Sequence, residues 1–74
     1  MKQEENIEYE CVGHMAFGEE DGRLIALPEY TGESVVSVQS KIMEAARREG
    51  YKGDLFDRMI ELEWVIRPIF ARKK

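Results

Sequence analysis

The chain has 74 residues, 43% of them hydrophobic and 35% charged, with a net charge of −4. That length allows one domain, burying only roughly 60% of the surface its unfolded form exposes, and a single cysteine excludes an intrachain disulfide as a staple. The negative balance gives no global attraction to nucleic acid or anionic lipid. The opening Met-Lys-Gln-Glu-Glu lacks the layout of a secretory signal and no long apolar run follows, so a cytoplasmic location without a membrane partner is expected.

Residues 1–6 are polar, carry no periodicity and are expected to form a flexible end, with residues 7–74 as a single small domain. From Ile7 through Tyr9, Cys11, Met15 and Phe17 the apolar side chains recur every second residue, which predicts a half-buried strand. Gly13 within it predicts a bulge or a close backbone approach. Asp21-Gly22 is a strong turn dipeptide, and Arg23 to Leu27 make a second strand, so the two form a β-hairpin of open loop length. Pro28 has no N–H to give a ladder, so it ends this strand or places it at a sheet edge.

Val35, Val38, Ile42, Ala45 and Ala46 recur at helical spacing and predict one long amphipathic helix over about 32–49. Thr31 or Ser34 can cap it, Glu33 falls in or near its first turn, and Arg47, Arg48 and Gly50 mark its end. Leu55, Phe56, Met59, Ile60 and Leu62 predict a shorter helix over about 54–63, opened by Asp54 with Asp57 three residues on. The segment from Ile60 to Ile66 also fits an alternating pattern. Pro68 stops a helix from continuing, so 64–71 reads as a third strand, with a helix to Ile66 as the alternative.

The expected fold is therefore α+β: a three-stranded antiparallel sheet packed on one long and one short helix, in the order β-β-α-α-β, with the third strand beside the first. Val35, Val38, Ile42, Leu55, Met59, Leu62 and Trp64 are the expected core.

Charge is unevenly placed. Residues 1–34 hold nine acids against two bases, and residues 35–74 hold nine bases against six acids. Two surfaces are candidates. Arg47, Arg48, Lys52, Arg67, Arg72, Lys73 and Lys74, with Arg58 among them and Tyr51, Trp64 and Phe70 interleaved, form a basic set of the kind that binds nucleic acid. Glu8, Glu10, Glu19, Glu20 and Asp21 form an acidic set that suits a basic partner, or simply keeps a hairpin soluble. Cys11 and His14 are spaced C-x-x-H, but a closed zinc site needs four ligands, and residues three apart on a strand point to opposite faces. Two more ligands could come only from a second chain. No catalytic residue, cofactor site or metal site is assigned.

The expectation is a non-enzymatic protein-binding or regulatory module, an adaptor or inhibitor. Its partner is another protein or a second copy paired through an edge strand, as befits a core too small to give much stability alone. Nucleic-acid binding by the basic half is the first alternative, and an enzyme or metal site shared across a dimer is the second.

Overall fold

The computed structural model describes residues 7–73. Three antiparallel strands and two helices follow in the order strand β1 (Tyr9–Glu20), strand β2 (Arg23–Gly32), helix α1 (Val35–Arg48), helix α2 (Leu55–Leu62) and strand β3 (Val65–Arg72). The sheet order is β2-β1-β3. The expected α+β architecture is present, with the third strand beside the first. The flexible end expected at 1–6 lies outside the described residues, as does Lys74.

The hairpin loop is two residues long. Glu20 pairs with Arg23, and Asp21 and Gly22 both take positive φ, 54° and 78°. That geometry matches the right-handed twist of the flanking strands, and Asp-Gly adopts it readily. Glu19 Oε2 also accepts the Gly22 N–H at 3.0 Å.

Two irregularities shape the sheet. In β2 the register jumps from Ala16↔Leu27 to Met15↔Thr31, so residues 28–30 bulge out of the edge and Thr31 Oγ1 donates to the Pro28 carbonyl at 2.7 Å. Pro28 thus lies within an edge strand rather than ending it, in the kind of position where its missing N–H costs no ladder bond. In β1 the register against β3 shifts between Cys11 and Gly13, leaving Val12 as the extra residue. Gly13 meets both expectations: it adjoins this bulge, and a Cβ on it would lie 3.0 Å from the Gly32 carbonyl oxygen. Pro68 sits in β3, opposite His14 and on the other sheet edge.

The long helix begins later than its periodicity predicted. Gly32 still belongs to β2, and Ser34 is the cap, its Oγ accepting the Ser37 N–H at 3.1 Å. Glu33 therefore precedes the cap, and the first turn holds no acid. At the far end the Tyr51 N–H reaches the Ala46 carbonyl and the Gly50 N–H reaches that of Arg47, each at 3.0 Å, with Gly50 at φ +91°. This is the six-to-one, five-to-two closure that glycine favours. Asp54 caps α2, its Oδ1 accepting the Asp57 N–H at 2.9 Å. Glu63 closes α2 in the left-handed region at φ +60°, and the Trp64 N–H then bonds the Met59 carbonyl at 2.9 Å.

The core is small. Among the described residues only Ala16, Val38, Ile42 and Ala46 are fully buried apolar side chains. Leu27, Tyr30, Leu55, Met59, Trp64 and Ile66 pack around Ala16, Val38 and Ile42, half-buried. Residues directly opposite in an antiparallel pair share a face, so Ala16, Leu27 and Ile66 together define the face that the helices cover. Gly18 leaves room on that face for the Trp64 indole, whose Nε1 lies 3.4 Å from where a Cβ would be. Of the expected core, Val38 and Ile42 are buried, and Leu55, Met59, Leu62 and Trp64 are half-buried. Val35 departs from expectation. It is 39% exposed, because it is the first residue of α1 and has no earlier turn of the helix beside it.

Candidate functional site

The charged sets that sequence position grouped are distributed widely. A strand advances about 3.3 Å per residue, so Glu10 near the start of β1 and Glu8 just before it lie roughly 30–40 Å from Glu19, Glu20 and Asp21 at the hairpin tip. The acidic set is two clusters, and the first is partly matched by Lys73, whose Nζ lies 3.9 Å from Glu8. The basic set is also divided. Arg47 and Arg48 occupy the last turn of α1, with Arg48 4.0 Å from Glu44, and Lys52 follows in the connector. Arg67 pairs across from Met15 and so lies on the sheet face away from Ala16, while Arg72 and Lys73 stand at the other end of β3. Arg72 is itself engaged in an interaction. Lys74 is outside the described residues. The described members of the set thus stand on separate elements: the end of α1, the connector and the two ends of β3.

Arg58 is absorbed structurally. Its guanidinium donates to Glu49 Oε1 at 2.8 Å and Glu61 Oε1 at 3.4 Å and stacks 4.9 Å over the Tyr51 ring. The Tyr51 hydroxyl donates to the Asp54 carbonyl at 3.1 Å. Together these contacts clamp the connector between α1 and α2. Partial desolvation, followed by the nearby Asp57, Asp54 and Glu61 carboxylates, holds the Tyr51 phenol above its usual pKa, with Arg58 opposing. The Glu61–Arg58 contact was legible from its three-residue spacing. The Glu49–Arg58 contact was not, since it depends on how the connector folds back.

Cys11 and His14 share a sheet face after all. The bulge at Val12 resets the alternation, so Cys11 pairs with Phe70 and His14 with Pro68, two positions apart on one face of β3. Each is occupied locally: Cys11 Sγ donates to the Gly13 carbonyl at 3.4 Å, and His14 Nδ1 lies 3.3 Å from that of Glu33. No group of three or more His, Cys, Asp or Glu gathers in metal-binding range among the described residues.

Two concavities stand out among the described residues. One, of about 270 Å3, lies between α1 and the β2 bulge, bounded by Tyr30, Ala45, Glu49, Arg58 and Trp64, with the Tyr30 and Trp64 rings 5.1 Å apart. The other is a broader groove of about 630 Å3 between α1, α2 and the hairpin tip. Its floor and walls are Leu24, Val35, Phe56, Met59, Ile60 and Trp64, and among the described residues its charged lining groups are Glu19 and Glu63. Phe56 is 74% exposed and Ile60 60%.

The reason is visible in α2 itself. Leu55, Met59 and Leu62 turn toward the core, while Phe56 and Ile60, one turn apart, project elsewhere, so the helix carries a second apolar face. Among the described residues of α2 none is fully buried. Sequence reading counted all five as one helical pattern and missed this. The signal was present, because five apolar residues in eight are too many for one stripe of an amphipathic helix. No helix is long and apolar enough to cross a membrane among the described residues. Comparison with protein-family models, with curated proteins and with solved structures returns no match.

Proposed function

We propose that this protein is a non-enzymatic protein-binding module, of the adaptor or inhibitor kind, whose contact surface is the groove between α1, α2 and the hairpin tip. The observation that carries the proposal is the outward apolar pair of α2, Phe56 and Ile60, exposed beside Val35 and Leu24. Large apolar side chains clustered in a concavity and left in contact with water mark an interaction site more often than scattered ones do. The chemistry of the lining supports the same reading: apolar walls with two carboxylates at the rim suit a nonpolar segment.

The test compares wild-type protein with a Phe56→Glu, Ile60→Glu double variant, both immobilised and exposed to native-host extract. The expected result is that proteins held by the wild type are lost by the variant, while its far-UV circular dichroism and urea midpoint stay unchanged. Equal retention by both proteins, with the variant folded, overturns the assignment of the groove.

A further inference from the structure

We infer that the edge of β1 over Tyr9–Val12 takes an added strand from another protein, an extended segment with apolar side chains at alternate positions and Lys or Arg between them. This surface is separate from the groove. Glu19, on the rim of the groove, lies further along β1, roughly 23–33 Å away.

The opening comes from unequal strand lengths. β3 pairs with β1 from Phe17 back to Tyr9, but β2 pairs with it only as far as His14, opposite Gly32. Beyond Gly32 the chain leaves for the Ser34 cap and α1. Among the described residues Tyr9–Gly13 thus pair on one side alone, in a two-stranded ribbon, an arrangement that is marginal in water without a third strand. The ladder fixes which groups face outward. The Lys73 N–H donates to the Glu8 carbonyl at 2.8 Å, so Glu8 and Lys73 are a hydrogen-bonded pair. Pair types alternate along an antiparallel ladder. Glu10 with Ala71 is then hydrogen-bonded too, while Tyr9 and Cys11 direct their N–H and C=O groups away from β3. Those four groups are the template that an added strand uses. The segment holds no proline and no lysine, and Tyr9, Cys11 and Val12 are exposed. Phe70, opposite Cys11 and on the same face, is exposed as well. The bulge at Val12 and the Gly32 carbonyl, 3.0 Å from where a Cβ on Gly13 would be, close the slot at its far end.

Charge and register select the occupant. On an antiparallel added strand, the residue between those bonded to Tyr9 and Cys11 stands opposite Glu10 in a non-hydrogen-bonded pair, where side chains are closest. Glu8 already faces Lys73 at 3.9 Å. Glu10 faces Ala71 instead and forms no ion pair among the described residues. A Lys or Arg opposite it supplies the missing charge, and the two flanking residues lie on the apolar face of Tyr9, Cys11 and Phe70. A second copy fits badly. Its outward groups are the same, so its Tyr9 or Cys11 must meet Tyr9 or Cys11. Pairing Tyr9 with Cys11 sets Glu10 against Glu10, and pairing Tyr9 with Tyr9 sets Glu8 against Glu10 twice. Like charges directly opposite one another destabilise a ladder. Pairing Cys11 with Cys11 places Glu8 opposite His14, where Gly32 already lies. The chain's own first residues do not suit the edge either. Turning back onto it would make Ile7 and Glu8 a two-residue turn, against the positive φ such turns require and the Lys73 bond that keeps Glu8 in the ladder.

The experiment titrates the isotope-labelled full chain with the peptide acetyl-Thr-Val-Lys-Val-Thr-amide, followed by amide chemical shifts and hydrogen exchange. In the free protein the Tyr9 and Cys11 amides should exchange fast and the Glu10 amide slowly. Saturable shifts at Tyr9–Val12, with slowed exchange at Tyr9 and Cys11, are expected below about 1 mM peptide. Replacing the peptide's Lys by Glu should weaken binding roughly two- to ten-fold, and Glu10→Lys should invert that preference. N-methylation of the peptide's two Val residues removes the bonding N–H groups without changing the protein, and should weaken binding at least about ten-fold. Cys11→Pro, which deletes an outward N–H and no bond to β3, should do the same. The Phe56→Glu, Ile60→Glu variant should bind the peptide as wild type does. An absence of saturable shifts up to about 1 mM, shifts centred elsewhere, indifference to N-methylation, or a charge preference unaltered by Glu10→Lys each overturns the inference. A wild-type dimer in sedimentation equilibrium that Cys11→Pro abolishes gives the edge to a second copy and overturns it too. The groove assignment stands or falls separately, on the retention of host proteins by the Phe56→Glu, Ile60→Glu variant.

Discussion

The junction between β2 and α1 offers the sharpest test of the packing. Gly32 ends β2 two residues before the helix begins, and a Cβ placed on it would overlap Ser37 Oγ and lie 2.8 Å from Ser37 Cβ and 3.3 Å from the Val38 amide nitrogen. The hydroxyl can rotate away, but the Ser37 Cβ is fixed by the backbone. Relaxed carbon pairs sit at about 3.5–4.0 Å, so Gly32→Ala forces the first turn of α1 off the sheet by up to about 1 Å. That turn leads directly into Val38, which has no exposed surface. Overpacking of this kind costs about 1–3 kcal/mol, a large part of the roughly 3–5 kcal/mol expected of so small a core. Each kcal/mol lowers the melting temperature of such a domain by about 4–8 °C. The assay is urea unfolding followed by the fluorescence of Trp64, the single tryptophan, with circular dichroism as a second probe. Ser37→Gly alone should cost up to about 1 kcal/mol in helix propensity. In the Gly32→Ala background it should restore stability instead, giving a coupling of about 1 kcal/mol or more in a double-mutant cycle. A Gly32→Ala protein within about 0.5 kcal/mol of wild type, or strictly additive effects, would show that the strand and helix do not meet as described.

Other predictions follow from single contacts. Ile42→Ala removes a side chain that is 2% exposed at the centre of the core and should cost about 2–5 kcal/mol, enough to leave much of the chain unfolded at 37 °C. Val36→Ala, at a site 68% exposed, should leave the urea midpoint unchanged. Gly50→Ala puts a Cβ on a residue at φ +91° and should lose about 1 kcal/mol in the same assay, although nothing crowds that position. Tyr51 is held above the ordinary phenol pKa of 10.0, so in the unfolded chain it ionises first. Its contribution to stability is complete below pH 10 and is lost as pH rises through the folded-state value. Phenolate absorbance at 295 nm should place Tyr51 above 10 by difference from Tyr51→Phe, and that variant should flatten the alkaline fall in stability. A Tyr51 titrating at or below 10.0 would contradict the clamp.

Local chemistry made most of the fold legible. Asp21-Gly22 is a hairpin turn because both residues tolerate positive φ, and Ser34 and Asp54 cap helices because a short side-chain oxygen can accept an otherwise unpaired N–H. Pro68 resolved the ambiguous segment after Leu62 in favour of a strand, since a helix could not have continued through it. The third strand joined the first, as expected from Pro28 making the second a poor neighbour.

The site was much less legible. Charges that are close in sequence are far apart once the chain extends, so the acidic set split between the two ends of β1. Arg58, grouped with the surface cations, is spent on Glu49 and Tyr51. The two-residue alternation that separated Cys11 from His14 held only until a bulge interrupted it at Val12. Helical spacing could list Phe56 and Ile60 as apolar but could not say that, among the described residues, they are left 74% and 60% exposed.

What the amino-acid order settled by itself was where each element starts, stops and turns, because caps, prolines and Asp-Gly act within a few residues of backbone. What tertiary structure alone decided was coverage: which apolar side chains find a neighbour within the same chain and which do not. Periodicity reports that a side chain shares a face with others. Whether that face is covered depends on contacts between residues remote in sequence, here a sheet and a long helix too small to cover both sides of α2.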